Sequence, residues 1–354
     1  RDESSSAPIL VNGVAVQKVD VVYVGVDFQR IDDINLSAQE FAMEGFLWLK
    51  WQNENLALRA KDKFVMFWNG MLGSYDKLYV LCERLDGDVK HIAYRLGGKF
   101  KTEYNLKQFP FDTQVLTVDL SIPQYGTDKV LLVADRAYLR SSQDMAGEGV
   151  VPAGYKLVGI DHFSGTKPFD SSLGHGREGD HRPDFSVYQA SMIVERVSFP
   201  YFLKVLLPLF ILTGVSLTAY FVPQGVLQVR TSLGLTTLLS AIVLHLSRTQ
   251  SLPNIGYLTR VDYGFVFAYI FMTFNIVASI FGERLARSRS PEHAAVFNRT
   301  IGLLIATNIL IVFILIMITG INIDWSVWVT CLNLVVISGC LLRQRHQRIR
   351  LTST

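Results

Sequence analysis

Six residues at helical spacing carry the most specific chemistry in this sequence: Gln228, Ser232, Thr236, Leu239, Val243 and Leu246, at offsets of four, four, three, four and three. On an α-helix such offsets place all six along one face. That face is polar at its Gln228 end and apolar at its Leu246 end. A row of amide and hydroxyl groups can replace part of an ion's hydration shell, and a Leu/Val band can close a water-filled path by dewetting. In hydrocarbon the same hydroxyls are disfavoured unless they find partners or border water. The stripe therefore reads either as a helix–helix contact or as the wall of an aqueous pore.

No comparable pattern points to catalysis. His91, His162, His175 and His181 lack metal-ligand spacing, and no GxSxG, P-loop or Cys–His pair is present. Acidic residues are dispersed, as on a solvated surface. The chain is expected not to be an enzyme and to hold no resident cofactor.

The stripe lies within Gln224–Pro253, QGVLQVRTSLGLTTLLSAIVLHLSRTQSLP, which is long enough to cross a bilayer. The whole chain has 354 residues, a net charge of +3 and a mean hydropathy of +0.26. Such a charge favours no nucleic-acid partner. Nearly all long apolar runs follow Phe199, so a water-soluble region over 1–196 is expected to precede a membrane region over 197–322. A further apolar stretch and basic tail occupy 323–354. Cys82, Cys331 and Cys340 make no disulfide framework. The start at Arg1, without methionine, suggests that a leader or other upstream sequence is missing.

In the soluble region, short runs rich in Val, Tyr, Phe and Thr recur between turn signals. Examples are VDVVYVGVDF (19–28), EFAMEGFLWLKW (40–51), DTQVLTVDL (112–120) and FSVYQASMIVERV (185–197). Their length and spacing predict an antiparallel β-sandwich. Asp86-Gly87 supplies a hairpin signal. The segment from Ser171 to Asp184, rich in Gly and charge, reads as a long loop.

The membrane region offers a first span over 199–222, with Lys204 near one end and Pro208 inside it. The opening stretch is the second span, about 263–283 the third and about 300–321 the fourth. The link over 284–299, with Arg284, Arg287, Arg289 and Arg299, belongs in the cytoplasm by the positive-inside rule. The soluble region is then extracytoplasmic, on the same side as the loop 247–263. Trp325 to Leu342 reads either as a fifth crossing or as an interfacial helix, and RQRHQRIR (343–350) follows it.

These features, in order, carry a family likeness. A β-rich half containing FPFDTQ (109–114), Arg196 ahead of the first span, Pro208 twelve residues later and LPNIGYLT (252–259) after the second span resemble the pentameric ligand-gated ion channels. The similarity covers about Val19 to Ile321. Where animal Cys-loop receptors place paired cysteines around FPFD, this chain has Thr102 and Leu116, which resembles the prokaryotic branch. The WxP motif is missing, with FVMFWN (64–69) near its place. A fifth apolar stretch departs from the family's four helices.

The resemblance implies a homopentamer in which each subunit joins an immunoglobulin-like all-β sandwich to an all-α transmembrane bundle. Gln228, Ser232, Thr236, Leu239, Val243 and Leu246 would line the pore, with Leu239, Val243 and Leu246 as its gate. Asp32 or Asp33, Asp112 and Arg196 would form an ionic cluster at the domain junction, near Pro253 and Tyr257. Arg95, Tyr125, Phe163 and Phe185 are the ligand candidates by position. Likeness to the prokaryotic branch favours cations, although the inner mouth carries Gln228, Val229 and Arg230 where cation channels commonly have a Glu. An anion channel of the same family and a non-conducting membrane-anchored sensor remain alternatives. The gating signal is expected to be a small ligand, protons or divalent cations, and calcium modulation is suggested by Asp32, Asp33, Glu40, Asp86 and Asp88. The expected setting is a cell membrane, crossed several times, with lipid and permeating ions as the other partners.

Overall fold

In the strand Glu40–Trp51, alternate residues from Phe41 to Trp51 are buried, the period-two signature of a strand with one face in a core. The computed structural model describes residues 9–11, 14–16, 19–53, 56, 58, 66–70, 78–145, 149–168, 184–223, 225–249, 252–288, 300 and 302. The expected loop over 171–183, the basic link beyond Ser288, nearly all of the fourth apolar run, and the fifth stretch with its tail lie outside the described residues.

The chain divides into two units, the first comprising Arg1–Asn105 and Thr113–Val197. A short ribbon pairs β1 (Ile9–Val11) with β2 (Val14–Val16). The other strands are β3 (Asp20–Asn35), β4 (Glu40–Trp51), β5 (Met66–Phe67), β6 (Tyr79–Asp86), β7 (Val89–Lys101), β8 (Thr113–Ser121), β9 (Val130–Ala134), β10 (Tyr155–Pro168) and β11 (Asp184–Arg196). They form a five-stranded sheet, β6-β7-β4-β3-β9, and a four-stranded sheet, β10-β11-β8-β5. Phe28, Leu47 and Tyr94 from the first sheet and Leu116, Tyr188 and Met192 from the second are fully buried. Full burial of such a side chain contributes roughly 1.5–3 kcal/mol relative to exposure, which is why the alternation holds the strands in register. The sheets are also pinned across the core, where Val26 N–H donates to Tyr188 Oη at 3.2 Å.

Two details differ from the sequence expectation. The sandwich is not wholly antiparallel, because β9 runs parallel to β3 from Asp20↔Val130 to Val24↔Ala134. The chain reaches β9 by crossing over from β8 in the other sheet, so it joins the edge in the same direction as β3. In the β6–β7 hairpin, Asp86 pairs with Val89, which leaves Gly87-Asp88 as the turn. Gly87 takes φ +59°, as the first position of a II′ turn requires.

The second unit comprises Leu106–Asp112 and the chain from Ser198. Its helices are α1 (Phe199–Tyr201), α2 (Leu207–Leu217), α3 (Leu227–Thr249) and α4 (Arg260–Ser288). A π-helical segment, Phe202–Leu206, links α1 to α2, and Leu207 N–H closes onto Phe202 O. Pro208 has no N–H to donate, and the wider turn ahead of it absorbs the break. Among the described residues, three helical stretches are long and apolar enough to cross a membrane: Phe199–Phe221, Leu227–Arg248 and Arg260–Arg284. At Gly234 on α3, a Cβ would stand 2.5 Å from Ile276 Cγ1 on α4, so this helix pair packs on a bare backbone there.

Candidate functional site

The two sides of α3 differ sharply. Arg230, Gly234, Thr237 and Ala241 are buried on one side. Gln228, Ser232, Thr236, Leu239, Val243 and Leu246 are all exposed on the other, with Leu239 at 63% and Val243 at 58%. Hydroxyls off the stripe return to their own helix: Thr237 Oγ1 donates to Gly234 O at 2.9 Å, and Thr231 Oγ1 donates to Leu227 O at 3.0 Å. Such back-bonding satisfies a buried hydroxyl without a partner helix.

Charge at the Gln228 end of α3 is turned into the packed side. Arg230 is 2% exposed, and its Nε and Nη2 both donate to Val222 O, the former at 3.1 Å. Glu283 of α4 is buried; its Oε2 accepts Gly225 N–H at 3.1 Å and its Oε1 lies 3.4 Å from Arg287 Nε. The exposed stripe itself carries no charged residue from Gln228 to Leu246.

At the other end, His245 of α3 is held from two sides by α4. Its Nε2 lies 3.0 Å from Asp262 Oδ1, its Nδ1 lies 3.0 Å from Tyr269 Oη, and its ring stacks on Phe265 at 4.3 Å. The tautomer with Nε2–H satisfies both, donating to the carboxylate and accepting the tyrosine proton. Asp262 Oδ2 accepts the Thr259 N–H at 2.7 Å and the Thr259 hydroxyl at 2.8 Å, a capping arrangement that starts α4. Sequence reading passed over this pair, although Thr259-x-x-Asp262 is a legible start signal.

The loop Leu106–Asp112, although it joins β7 to β8, belongs with the helices. Leu106 N–H donates to Tyr257 Oη at 3.0 Å, and Ser198 Oγ donates to Pro110 O at 2.8 Å. The Phe109 ring meets Tyr201 edge-on at 4.8 Å. Asp112 is 2% exposed in this unit, and Pro253 and Tyr257 are half-buried in the link between α3 and α4. In the first unit, Arg196 lies over the Tyr155 ring at 4.7 Å. Asp32 and Asp33 are exposed, with Asp32 paired to Arg30 at 2.5 Å.

The four ligand candidates stand on β7, beyond β8, on β10 and on β11. Arg95 pairs with Glu44 at 3.1 Å, and Tyr125 is half-buried beyond β8. Phe185 is 6% exposed and tilts against Trp68. Phe163 is 59% exposed and borders a cleft of about 540 Å³ at the β3–β9–β10 edge, together with Tyr23, Asp135, Arg136, His162 and Ser164. Sequence reading missed these neighbours because β9 and β10 come together only through the crossover. Within the cleft, His162 Nδ1 lies 2.7 Å from Tyr188 Oη. Burial lowers the His162 pKa from its ordinary 6.5 and raises that of Tyr188, which keeps both neutral. Among the described residues, no three His, Cys, Asp or Glu side chains stand together to hold a metal, so the expected calcium has no assigned site.

No family model matches this chain. It is similar to the gamma-aminobutyric acid receptor subunit beta of Caenorhabditis elegans, 26% identical over 189 residues, which is 53% of this chain and 31% of that subunit. It is also similar to the gamma-aminobutyric acid receptor subunit rho-1 of Mus musculus, 20% identical over 275 residues, covering 72% and 55% of the two chains. A third relative is the pH-sensitive chloride channel 2 of Drosophila melanogaster, 27% identical over 187 residues, covering 52% and 34%. The chain thus spans about a third to about half the length of the curated relatives it matches. These are names of receptor subunits and of a channel, not of enzymes.

Proposed function

We propose that this chain is a subunit of a pentameric ligand-gated ion channel of the Cys-loop receptor superfamily, with its β-sandwich outside the membrane and α3 lining the pore. One observation carries the reading: α3 buries Arg230, Gly234, Thr237 and Ala241 while exposing a continuous row from Gln228 to Leu246. A row of Gln, Ser and Thr in hydrocarbon is costly, whereas five copies around a water-filled axis would hydrate it. Leu239, Val243 and Leu246 then make a gate that closes by excluding water. An anchored sensor has no need of this sorting of residues on α3. The relatives' names support the channel class.

Coupling would run through Leu106–Asp112, which is covalently part of the β-rich half yet packed among the helices. In this reading Asp112, Arg196 and an acid of Asp32 or Asp33 form the ionic cluster at the junction, beside Pro253 and Tyr257. Ligands would enter between neighbouring sandwiches, with Arg95, Tyr125, Phe163 and Phe185 as the candidates, Phe185 being the one buried in its own chain.

Cation conduction is the sign implied by the prokaryotic likeness, yet no carboxylate lies on the exposed stripe to support it. Anion conduction is favoured by the similarity to a chloride channel. Purified protein in liposomes under a salt gradient decides both questions. A reversal potential at the chloride equilibrium value establishes anions, one at the cation value establishes cations, and no flux across pH and calcium overturns the channel reading.

A further inference from the structure

The cleft at the β3–β9–β10 edge has a chemistry of its own. Its lining includes just two residues of fixed charge, Asp135 and Arg136. Asp135 is already engaged: Lys50 Nζ stands 2.7 Å from its Oδ2, and Trp48 Nε1 donates to the same oxygen at 2.9 Å. The Trp48 ring lies over Gly25, where any side chain would displace it, so the indole is fixed in place to hold the acid. Two further acids stand close by. Asp27 is bound to Arg140 Nε at 2.8 Å, and Asp161 accepts the His162 amide proton at 2.9 Å. Arg136 is exposed, and its charge is the one the cleft offers to a ligand.

The neutral groups add donors. Tyr188 Oη accepts Val26 N–H, so its own proton is best placed on His162 Nδ1. That leaves the Nε2–H of His162 as the free donor of a ring bordering the cleft. Ser164 Oγ accepts the Ala134 N–H at 2.9 Å and keeps its hydroxyl proton to give. Tyr23 and Phe163, at 47% and 59% exposure, supply aromatic surface from β3 and β10. A volume of about 540 Å³ is within the range of small-molecule sites.

We propose that this cleft binds a small organic carboxylate, its charge on Arg136 with the His162 and Ser164 donors beside it and its apolar body against Tyr23 and Phe163. Within the lining an amine would meet Arg136 while Asp135 is committed to Lys50 and Trp48, and benzylamine tests whether Asp161 beside the cleft supplies a counter-charge. Binding itself does not rest on the conduction reading; a role for it in gating would.

Titration calorimetry of the full chain in detergent tests the site, with benzoate as probe and benzylamine as its charge-reversed counterpart. Benzoate is expected to bind and benzylamine to give no heat. Loss of a charge-assisted contact in Arg136→Gln should weaken benzoate about tenfold or more, with Arg136→Lys intermediate. Phe163→Ala should weaken benzoate without admitting benzylamine. Both side chains are exposed, so neither change threatens the fold. Absence of benzoate binding, equal binding of benzylamine, or an affinity untouched by Arg136→Gln overturns the proposal. Because heat is read rather than current, a chain that conducts nothing would still bind benzoate.

Discussion

Tyr257 Oη accepts the amide proton of Leu106 at 3.0 Å, so the link between α3 and α4 holds the loop that joins β7 to β8. Tyr257→Phe keeps the ring and removes that acceptor. One such bond contributes about 1 kcal/mol, so the opening equilibrium should shift about fivefold if the contact differs between closed and open states. Amide exchange at Leu106 should quicken in the variant, and evoked flux in liposomes should change with it. Faster exchange with unaltered flux would remove Tyr257 from coupling.

At Leu239, which is 63% exposed on α3, the proposed gate depends on side chains that repel water. In the proposed pentamer, Leu239→Ser puts a hydroxyl at each of five positions and should raise basal flux and lengthen single-channel openings. Stability of the single chain should change little, because the side chain is mostly exposed there. Unchanged gating would refute a hydrophobic gate at this level.

Where the residue pattern alternates with a period of two, as in β4 and β11, the strands were legible in the sequence, because burial of alternate side chains is what fixes them. The α3 stripe was legible for the same reason at helical period. The β3–β9 parallel pair was not, since a crossover leaves no local mark. The Asp135 site was equally hidden: its partners, Trp48 and Lys50, lie far off in sequence and meet it only through sheet register. That Phe185 is buried in its own chain was not legible, because an aromatic at a strand end looks alike whether it faces outward or inward.

His245→Phe tests the join between α3 and α4. The new ring can still stack on Phe265, but Asp262 Oδ1 loses its partner and Tyr269 Oη keeps only Ala241 O, at 3.4 Å. Leaving the part-buried Asp262 oxygen unmet costs about 1–3 kcal/mol, so the melting temperature in detergent should fall. Asp262→Asn should destabilise less, since an amide oxygen can still cap Thr259. Equal stability of wild type and His245→Phe would show that the pair is decorative.

The first unit should lose stability on acidification, and His162 shows why. Its pKa is lowered on folding, chiefly by burial, from 6.5. The unfolded chain therefore binds its proton first, and stability falls as pH drops below about 6.5 toward the lower folded value. His91 acts in the same direction, lowered by burial and by the charges of Lys50 and Arg84. Asp119 acts in the opposite direction, because burial raises its pKa above 3.8 and folding then favours its protonated form. The difference between wild type and His162→Asn isolates the histidine. Protonation puts a hydrogen on Nδ1, so the Tyr188 hydroxyl can no longer donate there and must turn to accept instead, a rearrangement open only to the wild type. Urea unfolding followed at pH 7.5 and pH 5 should show a steeper loss for wild type than for His162→Asn. Parallel losses would mean that His162 is not the group taking up the proton.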